Sequence, residues 1–281
     1  MDRLRMPSDA ELMKIAIKDL QNSSLSTEER QLALQELLVL VEPIDNAIDV
    51  ADLNKLGGLV ALVNELERDE EELRTTAAWV LGKASQNNPD VQKQILHLGV
   101  LPRLIHMVRS SYSEEAVRAL YAVSALIRNF PFAQEEFYLE GGSVLLQEIM
   151  SNTSTDIRLR RKSLFLLTDL AEQQLEIGGK QNSHFADERL LKSAVDLMGS
   201  SDLDTQEKAL MAVRSLARLN SMTLKKLRDL CQLEAALENL RAQLQHLMKS
   251  EEHAELAQDM ELLRQEVMKI MSSDSSDIVE Q

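Results

Sequence analysis

Leu81-Gly82-Lys83-Ala84-Ser85-Gln86-Asn87-Asn88-Pro89-Asp90-Val91-Gln92 returns in kind as Val123-Ser124-Ala125-Leu126-Ile127-Arg128-Asn129-Phe130-Pro131-Phe132-Ala133-Gln134. Pro89 and Pro131, Gln92 and Gln134, Gly99 and Gly141, and Leu104 and Leu146 each stand 42 residues apart, and Gly57 extends the interval backwards. One interval shared by turn formers and apolar residues marks a stacked repeat, and periods of about 40 residues belong to two- or three-helix units.

Each unit reads as three helices. A long helix over 70–86 breaks at Asn87-Asn88-Pro89, a short one over 90–98 ends at Gly99, and a third runs over 101–108. Proline suits a first helical turn and glycine a helix end, which is the order found here. The next copy reads 113–129, 131–140, a break at Gly141-Gly142, then 143–150. Arg161-Lys162-Ser163-Leu164 and Lys208-Ala209-Leu210-Met211 open two looser copies, separated by a loop insertion over 173–187 that contains Gly178-Gly179.

Ahead of the repeats, 11–20 reads as a cap helix, and Ser26 with Glu29 forms a capping box opening a helix over 27–41. Beyond them, Leu227, Leu230, Leu233, Leu237, Leu240, Leu244 and Leu247 make an apolar stripe. An interruption at Ser250-Glu251-Glu252 follows, and Leu256, Met260, Leu263, Val267 and Ile270 continue the stripe. The spacing is heptad-like, but a lid folded over the open end of the stack is the preferred reading. The expected organisation is a lead and cap helix over 1–26 and repeats over 27–223, then capping helices over 224–271 and a disordered acidic tail over 272–281. The repeat units lie near 27–66, 70–109, 113–151 and 155–199, with a partial one over 204–223.

Composition agrees. Of 281 residues 44% are hydrophobic but only 3% aromatic, so Leu, Ala, Val and Met must fill the core, a palette that favours helices. The net charge of −15 argues against nucleic acid and suits a protein partner with a basic face. The one cysteine, Cys231, makes an internal disulfide impossible and reads as a buried structural residue. No apolar run approaches the about 20 residues of a membrane span, and 1–7 has no signal-peptide core.

The search for chemistry returns no constellation. His97, His106, His184, His246 and His253 lack ligand spacing, apart from a weak His246/Glu252/His253 grouping, and no phosphate-cradling motif is present. The chain therefore reads as a non-enzyme without cofactor or metal, acting as a monomer. What remains is a face. In a right-handed solenoid of three-helix units the long helix lines the concave side, and such proteins bind there. Trp79, Tyr121, Phe165 and Met211 occupy one position on successive long helices. Lys83, Ala125, Asp169 and Ser215 follow one turn on, then Gln86, Arg128, Glu172 and Arg218. With Arg214 these supply the candidate partner-binding set: Trp79, Lys83, Gln86, Tyr121, Arg128, Phe165, Asp169 and Arg214. The competing reading is that the aromatic members only pack between neighbouring helices.

Ile44-Asp45-Asn46-Ala47-Ile48-Asp49 with Gly57-Gly58-Leu59, and Ala78-Trp79-Val80-Leu81-Gly82 with Asn88-Pro89-Asp90-Val91-Gln92, resemble the armadillo-type nucleotide-exchange factors of heat-shock-70 chaperones. The run from Ala119 through Gln134, ending near Phe137 and Gly141-Gly142, is most similar to the endoplasmic-reticulum, BiP-associated (Sil-type) branch. The cytosolic, Fes-type branch comes second. The resemblance implies an all-α, armadillo-like, right-handed superhelical solenoid of about four repeats with caps at both ends. It also implies a co-chaperone whose concave face grips one lobe of the chaperone's nucleotide-binding domain, BiP favoured, and promotes ADP release by binding the open cleft better. The candidate set above then becomes the contact surface.

An endoplasmic-reticulum member is expected to carry an upstream signal peptide, removed here, and otherwise the protein is expected in the cytoplasm. Asn22-Ser23-Ser24 and Asn152-Thr153-Ser154 fit N-glycosylation sequons. The alternative is a generic armadillo scaffold holding an extended peptide. Such grooves usually present a repeated asparagine one turn after the tryptophan, and here that row reads Lys83, Ala125, Asp169, Ser215.

Overall fold

A computed structural model describes residues 7–41, 55, 57–177, 187–219 and 232–273. The Ile44–Asp49 motif, Gly178-Gly179, His184, Leu227, Leu230, Cys231, most of the lead and most of the tail lie outside the described residues. The chain divides into two compact units, Met1–Glu140 and Gly141–Gln281.

The first unit holds α1 (Asp9–Gln21), α2 (Thr27–Leu40), α3 (Gly58–Glu65), α4 (Glu71–Ser85), α5 (Pro89–His97), α6 (Leu101–Val108), α7 (Ser113–Ile127) and α8 (Pro131–Leu139). Two of these start on reciprocal capping boxes, Ser8 with Glu11 and Ser26 with Glu29; the first has the same S-x-x-E spacing as the second, although only the second is among the sequence expectations. The glycine ruler has a conformational cause. Gly57, Gly99 and Gly141 all take left-handed φ, at 74°, 68° and 81°, where the chain turns into the following helix. Asn87 and Asn129, also one repeat apart, are left-handed at 56° and 55° and turn each long helix toward its short partner.

The long helices α2, α4 and α7 pack side by side. Thr27 Oγ1 donates to Glu70 at 3.0 Å and Gln31 Nε2 to Thr76 Oγ1 at 2.9 Å. One step on, Arg74 grips Glu115 with two bonds of 2.6 and 3.0 Å. Partners stay close to one repeat apart all along these helices, so the helices run in the same direction. Between them lies a Leu, Ala and Val core in which Leu34, Leu37, Leu81, Leu120 and Leu126 are wholly buried.

The second unit holds α9 (Gly142–Ser151), α10 (Ile157–Glu176), α11 (Glu188–Leu197), α12 (Leu203–Leu219), α13 (Leu233–Leu247) and α14 (Ala254–Ser273). Here α10 packs along α12, tied by a bidentate Arg161–Asp202 pair at 2.6 and 3.0 Å. The expected insertion over 173–187 begins later, because α10 continues to Glu176 and no glycine or proline breaks it before Gly178. The C-terminal stripe is buried at Leu233, Leu237, Leu240 and Leu244, and α14 lies on α12 and α13. Among the described residues no helix is long and apolar enough to cross a membrane.

Candidate functional site

In the first unit Trp79, Lys83 and Gln86 sit on the free side of α4, and Tyr121 and Arg128 on α7 or at its end. Ala77, Ala78, Val80 and Leu81 are buried between and beneath them, so the helical period leaves only this row facing out. Gln86 and Arg128 are both C-caps in extended conformation, φ −65° and −61°, rather than residues inside their helices as expected. The Arg128 carbonyl accepts from Gln92 Nε2 at 3.0 Å, which fixes the turn.

Three contacts build the row. The Arg118 guanidinium lies over the Trp79 ring, 3.5 Å from its centroid, and donates from Nε to Glu114 at 2.8 Å. The Tyr121 ring lies against Gly82, where an added Cβ would come within 2.7 Å of Cδ1. Tyr121 Oη donates to Gln86 Oε1 at 3.1 Å. The packing reading of the aromatic ladder is therefore realised in part. Tyr121 packs into the neighbouring helix through its ring while its hydroxyl reaches the row, and Trp79 is half-buried under a cation. Sequence reasoning passed over Arg118. Its signal was the position one turn before Tyr121 on the same helix, which any partner of Trp79 from the next repeat would need.

In the second unit Phe165 is 44% exposed on α10, which removes it from the core, and Asp169 is half-buried one turn on. Arg214 on α12 donates to Glu172 at 2.9 Å and lies 3.4 Å from Glu266 of α14. Glu172 also accepts from Ser215 Oγ at 3.1 Å. Arg214 is thus engaged inside the unit, tying the row to the C-terminal helix.

Under the row of the first unit the electrostatics are settled by burial and pairing. Burial works against the charge on Glu115, but hydrogen bonds from Arg74 and Ser110 outweigh it and hold the carboxyl below the ordinary range. Asp202 in the second unit behaves alike: burial opposes the charge, and bonds from Thr205 and Arg161 overcome it. Asn22 and Asn152 are exposed helix C-caps with the same backbone, and each Oδ1 accepts from the N–H and Oγ–H two residues on. Among the described residues no group of three His, Cys, Asp or Glu could hold a metal ion.

Known proteins resemble this chain in sequence and in fold. Residues 49–194 match the family model for the SIL1/FES1/HPBP1 C-terminal domain, and residues 1–50 match the model for the nucleotide exchange factor Fes1. The chain belongs to the SIL1/FES1/HPBP1 family. Among its relatives, the nucleotide exchange factor SIL1 of Xenopus laevis is 29% identical over 267 residues, covering 88% of this chain and 57% of that protein. The Hsp70 nucleotide exchange factor FES1 of Mycosarcoma maydis is 30% identical over 167 residues, covering 59% of this chain and 41% of that protein. This chain thus spans about half the length of these relatives. A designed armadillo repeat protein, solved in complex with a (KR)4 peptide, superposes with a TM-score of 0.71 at 17% identity, covering 92% of this chain and 99% of that one. At that identity the likeness speaks for fold alone, which is an all-α, armadillo-type solenoid.

Proposed function

We propose that this protein is a nucleotide-exchange factor that binds the nucleotide-binding domain of a heat-shock-70 chaperone and promotes ADP release. The observation that carries the reading is that the family match over 49–194 contains the row Trp79, Lys83, Gln86, Tyr121 and Arg128 together with Phe165 and Asp169. The row is built to bind rather than to react: an aromatic under a cation and a tyrosine hydroxyl held by an amide, on rigid helices. A surface of this kind drives exchange only through its preference for the open cleft over the closed one. Arg214 supports its row by fixing Glu172.

The finer assignment is the lumenal chaperone BiP, with the protein in the endoplasmic reticulum. It is supported by the SIL1 relatives and the two exposed sequons, and opposed by the equally related cytosolic reading that the FES1 matches favour. In the lumen Asn22 and Asn152 become glycan acceptors, since Oδ1 holds each turn and the amide nitrogen is the atom a sugar takes.

The deciding measurement is the release of a fluorescent ADP analogue from lumenal and from cytosolic heat-shock-70 nucleotide-binding domains. Acceleration is expected with one of them, and no acceleration with either defeats the proposal. Trp79→Ala with Arg128→Glu should weaken binding while helical content stays unchanged. A peptide scaffold is the less favoured reading, because Ala125 is buried and Ser215 is bonded to Glu172, leaving that row short of side chains for a peptide backbone.

A further inference from the structure

Helices α5 and α8 are the same element in successive repeats, and their inward faces match position for position. Val91, Gln92 and Ile95 are buried on α5, as Ala133, Gln134 and Phe137 are on α8. Both glutamines turn their amides inward, but to different partners: Gln92 Nε2 donates to the Ala125 carbonyl of the next repeat at 2.7 Å, and Gln134 Nε2 to the Ile127 carbonyl of its own repeat at 3.0 Å.

The outward faces do not match. Asp90, Lys93 and His97 are exposed on α5. At the equivalent positions, 42 residues on, α8 exposes Phe132, Glu135 and Leu139, with Phe132 71% and Leu139 74% accessible. The repeat therefore folds without apolar residues at these positions, and α5 serves as the internal control. Phe132 and Leu139 are two turns apart on one side of α8, about 10 Å along its axis. Glu135 and Glu136 lie between them and Glu140 lies just beyond, all on the same half of the helix. The rings of Phe130 and Phe132 approach to 6.4 Å and widen the apolar end.

We propose that this face of α8 docks a basic amphipathic helix of a partner protein. Its apolar side chains meet Phe132 and Leu139, and its lysines or arginines pair with Glu135, Glu136 and Glu140. Apolar anchors two turns apart are the spacing by which helices are read, and the rim charge selects the partner's sign. The same charge disfavours other occupants. A second copy would set three carboxylates against three, in a chain already at −15, and an anionic membrane would be repelled. The surface lies on a different helix from the long-helix row, and the proposal does not depend on the chaperone reading.

The test uses the full chain and a fluorescein-labelled helical peptide of leucine and lysine, followed by anisotropy, with a leucine–glutamate peptide as control. Binding of the lysine peptide that weakens with salt is expected, falling about tenfold or more in Phe132→Ser/Leu139→Ser and in Glu135→Lys/Glu136→Lys. Both pairs are surface changes, so helical circular dichroism should be retained, and Asp90→Ser/His97→Ser should bind like the parent. Equal affinity across all variants, or no binding by the parent, overturns the proposal. So does self-association or capture by phosphatidylglycerol vesicles that is lost in Phe132→Ser/Leu139→Ser.

Discussion

The ring of Tyr121 lies so close to Gly82 that a methyl group on that glycine would stand 2.7 Å from Cδ1 and 3.0 Å from the Ala122 Cα. This contact sets how near α4 and α7 come, and it holds the Tyr121 hydroxyl within reach of Gln86. Gly82 has an ordinary helical backbone, so its role is the absence of a side chain.

Gly82→Ala should therefore destabilise the protein by about 1–3 kcal/mol through overpacking, although alanine is the better helix former. Gly141→Ala offers a contrast, because nothing lies within 4 Å of its Cβ and only its left-handed backbone resists. It should lose about 1–2 kcal/mol. Tyr121→Ala should cost clearly less in the Gly82→Ala background than in the Gly141→Ala background, where it loses only its own packing, as read from urea midpoints. A Gly82 loss unaffected by Tyr121→Ala would place the clash on the Ala122 backbone alone.

In the Arg74–Glu115 pair the glutamate is buried, its side chain 2% exposed, and the arginine half-buried at 14%. Glu115→Ala leaves the half-buried Arg74 guanidinium only the Arg68 and Asp69 carbonyls and should cost about 1–3 kcal/mol. Arg74→Met with Glu115→Leu removes both charges and should come much closer to the parent in thermal melts.

Acid should act through the same carboxylates. The folded-state pKa of Glu115 is depressed below its unfolded value, so its contribution is fully present above the unfolded value and is lost as pH falls through the folded one. Asp202 adds a contribution of the same sign from the second unit. Thermal stability should thus hold from neutral pH down to about 5 and then decline. Glu115→Gln should start lower at neutral pH and decline less, and an identical slope in parent and variant would contradict this account.

Trp79 is the single tryptophan of the chain, so its fluorescence reports the Arg118 contact directly. Arg118→Ser should uncover the ring, shift emission to the red and cost about 0.5–1 kcal/mol of stability. An unchanged spectrum would mean that the guanidinium does not cover the ring in solution. If the row binds a chaperone, the parent's emission should also respond to that domain, and the Phe132→Ser/Leu139→Ser variant should respond equally.

The sequence by itself determined the repeat, because its markers are local. Proline opening a short helix, asparagine before it and glycine after it are demanded by backbone geometry within a few residues, and they recur at 42 wherever that geometry recurs. It likewise placed Trp79, Lys83, Gln86 and Tyr121 on one side, since helical phase is a matter of counting. Only the tertiary structure decided what each of these touches. Arg118 covering Trp79, Tyr121 filling the space Gly82 leaves, and Arg214 drawn to Glu172 and Glu266 all join different helices. Charge and size along one helix cannot specify them, because each partner lies on a different helix about a repeat or more away and is chosen by how closely two backbones approach.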